Sequence, residues 1–246
     1  MKSRIDQMRR RAARYLDIRP VTLAPPRGIF SLSFDDIPVT AWTEAGPILA
    51  EHGIKATYYV CGGLSGGTNL GLPQFETEHL QALHAAGHEV GCHTYEHASV
   101  LDLAPASLGA SLDRNALWVG ERLQGHVMTS FAYPFGDCGL KAKAVVADRF
   151  EFGRGVTNGI NRVRGDRPLL KAIGIESRRL PGYDLEALMQ ETADARGWLV
   201  AYGHDVMDSP TAYGCTPDDL DRVIRLAKTA GLDILPVEAG WRACQP

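Results

Sequence analysis

The stretch SLSFDDIPVT, residues 31–40, places two adjacent acids at the end of an apolar run that is typical of a buried strand. Neighbouring carboxylates repel each other, and Pro38 prevents Asp35 and Asp36 from simply entering a regular helix. In parallel α/β folds, the carboxyl ends of the strands carry the functional loops. We therefore expect a strand of a parallel sheet that ends at a functional site.

Outward from this strand, strand and helix signals alternate along the chain from Gly28 onward. Further strands are predicted at residues 54–60, 88–92, 129–134, 152–157, 169–175, 198–204 and 232–237, with helical segments between most of them. Alternation at this spacing indicates parallel strands joined by crossover helices. We predict an α/β fold, a distorted (β/α) barrel of about seven parallel strands, as a single domain over residues 28–246.

The start of the chain has a different charge from the rest. The 246 residues carry a net charge of -3, which gives no reason to expect nucleic-acid binding. Residues 1–19 hold seven Lys or Arg and two Asp, a local charge of +5, so the remainder carries -3 minus +5, or -8. We predict that residues 1–27 form a basic N-terminal helical arm and linker. The arm would be a solvated extension, or would contact anionic lipid or a second copy in a homodimer.

Two features bear on the cellular compartment. The sequence has no apolar run long enough to span a membrane, and its N-terminus lacks the apolar stretch of a signal peptide. Its five cysteines are odd in number and form no CxxC pair. We expect reduced thiols in a cytoplasmic protein.

Three more polar clusters follow predicted strands. His93 and His97 follow the strand at 88–92, the segment AYPFGD (132–137) follows the next strand, and His204 closes the strand at 198–204. Each cluster alone has a structural explanation, such as a helix cap, a turn or a surface histidine pair. Together with Asp35 and Asp36 they supply one carboxylate and two imidazoles as metal ligands, plus a spare carboxylate and a spare histidine. This set is what a hydrolytic metal site needs.

The segments SFDD (33–36), HTYEH (93–97), AYPFG (132–136) and LVAYGHD (199–205) resemble, in this order, the motifs of the polysaccharide deacetylases. These are the NodB-homology proteins of carbohydrate esterase family 4. The resemblance covers about residues 28–238. The pattern is similar to deacetylases of bacterial exopolysaccharides, including surface adhesins.

The resemblance implies a role for each matching residue. Asp36, His93 and His97 would bind one divalent metal ion, with zinc as the expected ion. Asp35 would be the base that takes a proton from the attacking water, and His204 would be the acid that protonates the departing amine.

The substrate side of the site is assigned to three aromatic residues. The backbone N–H of Phe135 would help to stabilise the oxyanion of the tetrahedral intermediate, and Tyr133 belongs to the same substrate-binding segment. Tyr202 stands two residues before His204 on the same strand face, so it would either border a pocket for the acetyl methyl group or pack in the barrel.

The chain departs from the family pattern at three places. The arginine that orients the base should stand at Ala132, and the glycine that closes the first motif is Ile37. We find no convincing match to the fourth motif, which usually brings an Asp and a Trp. Arg154 and Arg162 are the candidates to supply the missing guanidinium.

These observations predict a metal-dependent N-deacetylase of N-acetylated saccharide units in exopolysaccharide (adhesin) biosynthesis. Its substrate would be made before export and could be linked to lipid at the inner membrane face, where a basic arm is attracted to anionic lipid. Two alternatives stay open: a deformylase or ring-opening amidase on a related amide, and a catalytically inactive saccharide-binding relative. The retained Asp35 and His204 argue against inactivity, because binding alone needs neither.

Overall fold

A curved parallel sheet forms the framework of the protein, whose computed structural model describes residues 12–245. The strands are β1 (Pro20–Leu23), β2 (Ile29–Asp35), β3 (Thr57–Val60), β4 (Thr68–Asn69), β5 (Leu72–Pro73), β6 (Glu89–Cys92), β7 (Ser130–Ala132), β8 (Phe152–Arg154), β9 (Val163–Asp166), β10 (Ile173–Gly174), β11 (Trp198–Gly203) and β12 (Asp233–Ile234). The helices are α1 (Thr40–Thr43), α2 (Ala45–Glu51), α3 (Thr77–Ala85), α4 (Pro105–Arg122), α5 (Leu140–Arg149), α6 (Leu185–Asp194), α7 (Pro217–Thr229) and α8 (Val237–Ala243).

The main sheet has the order β10-β11-β2-β3-β6-β7-β8, with β12 also paired to β2, and every pairing in it is parallel. Beyond β8, the N–H groups of Gly155 and Leu170 donate to the carbonyls of Leu170 and Gly153, which continues the ladder toward β10. The eight strands thus form a half-barrel. The predicted single-domain barrel of about seven parallel strands is confirmed.

Strand β2 lies at the centre of the sheet, and all seven of its residues are buried. A strand covered on both faces is expected to be apolar, yet β2 contains two serines. Ser33 Oγ donates to the carbonyl of Ala201 at 2.9 Å, and Ser31 Oγ accepts from the indole N–H of Trp198 at 2.9 Å. Because both hydroxyls are satisfied, β2 is held firmly and fixes the position of Asp35 at its end.

Helix α7 illustrates how the helices cover this sheet. Thr216 caps it by accepting a hydrogen bond from the backbone N–H of Asp219 at 3.1 Å, and Pro217 occupies its first turn. One face of the helix is buried, at Leu220, Val223, Ile224 and Ala227. This spacing of three and four residues makes a single apolar stripe that packs inward.

The segment before β2 packs on the barrel. Strand β1 pairs with β9 in antiparallel fashion, and Ala13 is 1% exposed. The predicted division of the chain at residues 27 and 28 stays a prediction, and residues 1–11 of the predicted basic helix lie outside the described residues. Among residues 12–245, no helix combines the length and apolar character needed to cross a bilayer.

Candidate active site

An unusual turn follows strand β2. Asp36 and Ile37 have φ angles of 65° and 62°, in the left-handed region where a β-branched residue is unfavourable. Ile37 stands where the family motif has a glycine, and its side chain is fully buried in the core, which offsets the backbone strain. The turn lets Asp35 and Asp36 both border one cavity.

Three predicted metal ligands converge in this cavity. Asp36 Oδ1 lies 3.0 Å from His97 Nε2 and 3.5 Å from His93 Nε2. The ligand atoms of Asp36, His93 and His97 all lie within 4.8 Å of one another. Among the described residues, Asp36 Oδ1 has no hydrogen-bond partner, although it is buried. A buried carboxylate oxygen beside two imidazole nitrogens is a donor set that suits a divalent metal ion such as zinc.

Hydrogen bonds and burial set the orientation and protonation of two of these predicted ligands. His93 Nδ1 lies 2.8 Å from the carbonyl of Ala132, so the ring carries its proton on Nδ1 and directs the lone pair of Nε2 toward Asp36. Burial lowers the pKa of His93 to about 4, which keeps the ring neutral. Asn69 Nδ2 donates to Asp36 Oδ2 at 3.1 Å and orients the carboxylate.

Arg154 supplies the guanidinium that is missing at Ala132. Its Nη2 donates to Asp35 Oδ1 and Oδ2 at 2.5 and 2.6 Å, and both side chains are buried. Ala132 and Arg154 are register partners on β7 and β8, so the guanidinium comes from the strand next to the expected position. Arg162, the other candidate, instead pairs with Glu191 at the surface.

This pair controls the charge of Asp35. Burial raises the pKa of a carboxyl group, but the positive charge and the hydrogen bonds of Arg154 hold the pKa of Asp35 below its ordinary value. The carboxylate is therefore ionised and able to accept a proton.

His204 follows β11 and borders the same cavity. Its Nδ1 lies 3.3 Å from the carbonyl of Tyr213, which orients the ring. The structure thus brings the predicted acid and the predicted base to one cavity, with Asp35 buried and His204 partly exposed. Their catalytic roles stay predictions.

The three aromatic residues assigned to the substrate side differ in their surroundings. Phe135 is 65% exposed at the cavity, with φ 59°, and its backbone N–H has no backbone acceptor among the described residues. Tyr133 is buried, and its hydroxyl donates to the carbonyl of Pro168 at 2.8 Å. The hydroxyl of Tyr202 accepts a hydrogen bond from Arg179 at 3.2 Å. An N–H without a partner leaves Phe135 suited to an oxyanion.

The cavity has a volume of about 230 Å³. Sequence reasoning missed several of its residues: Asn69, Leu70, Val156, Glu176, Arg179 and Tyr213. None of them belongs to a short motif. Only the fold brings them to the cavity.

The chain is similar to a family of known proteins. The family profile described as polysaccharide deacetylase matches residues 22–149. A chitin deacetylase of Pestalotiopsis sp is 29% identical over 92 residues, which is 37% of this chain and 29% of that protein. The chain thus spans less than a third of the length of the curated relatives that it matches.

Solved structures show the same fold. A family 4 carbohydrate esterase from Bacillus anthracis has a TM-score of 0.63 at 11% identity, covering 99% of this chain and 94% of that one. IcaB from Ammonifex degensii has a TM-score of 0.56 at 23% identity, covering 61% of this chain and 69% of that one. At these identities the likeness extends to the fold alone.

Proposed function

Because this chain belongs to the polysaccharide deacetylase family, we propose that it is a metal-dependent hydrolase that removes N-acetyl groups from saccharide units. One observation carries the proposal: Asp36, His93 and His97 converge at a cavity that also contains the ionised Asp35. A site for saccharide binding alone would need no buried base with a dedicated arginine partner.

Each residue has a defined task in this proposal. A divalent metal held by Asp36, His93 and His97 would polarise the amide carbonyl and lower the pKa of a water molecule. Asp35 accepts a proton from the attacking water, and the backbone N–H of Phe135 stabilises the developing oxyanion. The amine then needs a proton in order to leave, and His204 donates it as the C–N bond breaks.

For the biological setting we propose bacterial exopolysaccharide (adhesin) biosynthesis in the cytoplasm, with a substrate that can be lipid-linked. The motif pattern resembles deacetylases of that class. All five cysteines are buried and unpaired, which suits a reducing compartment. The basic residues 1–19 suit contact with anionic lipid at the inner membrane face, or with a second copy.

The test is hydrolysis of an N-acetylglucosamine oligomer and of an aryl acetate, with metal content measured on the same samples. Asp35→Asn should lose on the order of a hundredfold or more in turnover on both substrates, because each requires an activated water. His204→Ala should lose as much on the amide but much less on the ester, since a phenolate departs without a proton.

The metal content distinguishes the catalytic residues from the ligands. Both variants should keep their metal, whereas His93→Ala should lose it. Equal losses on amide and ester would remove His204 from the role of acid. Release of formate in place of acetate would indicate a deformylase. Saccharide binding without release of any acid would indicate an inactive relative.

A further inference from the structure

A second charged cluster, formed by Glu176 and Arg179, borders the cavity and has no role in the proposed mechanism. Arg179 borders the cavity with 38% of its side chain exposed, and Glu176 lies behind it with 1% exposed. Glu176 Oε1 forms an ion pair with Arg179 Nε at 3.1 Å, and Arg179 Nη1 donates to the hydroxyl of Tyr202 at 3.2 Å. These two anchors hold the guanidinium at the cavity in one orientation.

The local backbone accommodates the buried carboxylate of Glu176. A Cβ added to Gly174 would collide with the carboxylate of Glu176, so the glycine makes room for that side chain to fold back toward Arg179. Among the described residues, Glu176 Oε2 has no hydrogen-bond partner. Burying a carboxylate with only part of its hydrogen bonds made is costly. We take that cost as a sign that the position of Arg179 at the cavity is important for function.

The cluster adjoins the reacting centre through one aromatic ring. Arg154, the partner of Asp35, has its Cζ atom 5.0 Å from the centre of the Tyr202 ring, and the hydroxyl of that ring accepts from Arg179. The cavity of about 230 Å³ is smaller than the roughly 300–1,000 Å³ of pockets for drug-sized ligands, so it takes little more than one sugar unit. A sugar held at Asp35 would therefore be within reach of Arg179.

The chemistry of Arg179 and Glu176 indicates which kind of ligand atom they would bind. A guanidinium has five N–H donors and no acceptor. Tyr202 accepts from one of them, Glu176 forms an ion pair with the group, and Tyr183 interacts with it as well. Donors therefore remain for a ligand. Glu176 balances the charge of Arg179, so the pair favours neutral oxygen atoms over an anion. A saccharide carries such atoms in its hydroxyl and ring oxygens.

We propose that Arg179 is a substrate-binding residue that donates hydrogen bonds to neutral oxygen atoms of the saccharide unit, and that Glu176 is the positioning residue that orients it. This inference rests on the proposed function and deepens it. It makes Arg179 a determinant of selectivity for saccharide amides over simple acetyl compounds.

The test compares an N-acetylglucosamine tetramer with an aryl acetate, which has no sugar oxygens. Arg179→Ala should lower kcat/KM for the tetramer by about 10- to 100-fold, chiefly through KM, and should lower it much less for the aryl acetate. Glu176→Gln keeps an oxygen that can accept from Arg179, so its loss should be smaller than that of Glu176→Ala. Arg162→Ala, which removes an arginine paired with Glu191 at the surface, is the matched control.

Equal losses of Arg179→Ala on both substrates, or an unchanged KM for the tetramer, would overturn the inference. A wild-type protein that hydrolyses the aryl acetate but not the tetramer would contradict the proposed function instead. In that case, calorimetric binding of the tetramer decides: weaker binding by Arg179→Ala supports the inference, and equal or absent binding by both proteins overturns it.

Discussion

At the residue scale, the buried pair of Asp35 and Arg154 determines whether the predicted base is ionised. Burying a lone carboxylate costs several kcal/mol, and a charged hydrogen-bond donor on both of its oxygens offsets that cost. The register of β7 and β8 places Ala132 beside Arg154. The charge of Asp35 therefore depends on one residue of another strand.

Removing this arginine should alter both stability and pH dependence. Arg154→Ala leaves the carboxylate of Asp35 buried without its partner, so the free energy of unfolding should fall by about 3–5 kcal/mol. Without the lowering effect of Arg154, burial raises the pKa of Asp35, and the acidic limb of the pH–rate profile should move to higher pH. Urea unfolding and kcat/KM between pH 4 and pH 9 measure both effects.

The register of the two strands also suggests a rescue. Ala132→Arg added to Arg154→Ala restores a guanidinium at the family position and should recover part of the lost activity, returning the acidic limb toward that of the wild type. Arg162→Ala should behave as wild type in both measurements. An unshifted acidic limb in Arg154→Ala would show that Arg154 does not control the base.

At the element scale, Glu89 ties several elements together at the amino end of β6. Its carboxylate accepts from Thr57 Oγ1 on β3 and from Ser130 Oγ on β7, each at 2.6 Å. It also accepts from the backbone N–H of Glu238 at 2.8 Å, in the first turn of α8. Burial raises the pKa of Glu89 despite these hydrogen bonds. One side chain thus joins three strands and a helix.

The raised pKa of Glu89 predicts the direction in which stability changes with pH. Between the ordinary pKa of a glutamate, 4.5, and the raised pKa of Glu89, the folded state binds more protons than the unfolded state, so this group lowers stability as pH rises. Glu89→Gln lacks this dependence. The unfolding free energy of the wild type minus that of Glu89→Gln should therefore fall as pH rises above 4.5, as measured by urea titrations. A constant or rising difference would contradict the assignment.

At the scale of the whole molecule, a buried ion pair attaches the N-terminal segment to the barrel. Lys143 Nζ donates to the carbonyls of Ala13 and Leu16 at 2.9 and 2.6 Å and pairs with Asp166 at 2.5 Å. Asp166 Oδ1 also accepts from the backbone N–H groups of Ile18 and Arg19. Residues 13–19 are thus held by contacts with both α5 and β9.

Two truncations should separate this attachment from the rest of the arm. Removal of residues 1–19 leaves Lys143 and Asp166 without four hydrogen bonds and should lower the free energy of unfolding by about 2–4 kcal/mol. Removal of residues 1–11 keeps all of these contacts, so the difference between the two truncations measures the contribution of the docked segment. Urea unfolding of both proteins makes the comparison, and equal stability of the two would show that the docked segment contributes nothing.

The sequence by itself determined the fold class and the three candidate metal ligands. The fold class rests on local signals, because apolar runs at regular spacing indicate parallel strands. The expectation of a shared site rests on polar residues that follow strands and so meet at one rim, whereas the assignment of the three ligands rests on the resemblance to the family motifs. Asp36, His93 and His97 each directly follow a strand or lie in the loop after it, so their convergence follows from the alternation of elements.

Only the tertiary structure decided which side chains bind and orient the predicted site residues. Arg154 stands 119 residues from Asp35, and the choice between Arg154 and Arg162 depends on the register of β8 against β7. Asn69 and Arg179 likewise reach the cavity from segments that match no motif. Hydrogen bonds between distant side chains depend on strand register and loop path, and neither leaves a periodic pattern in the sequence.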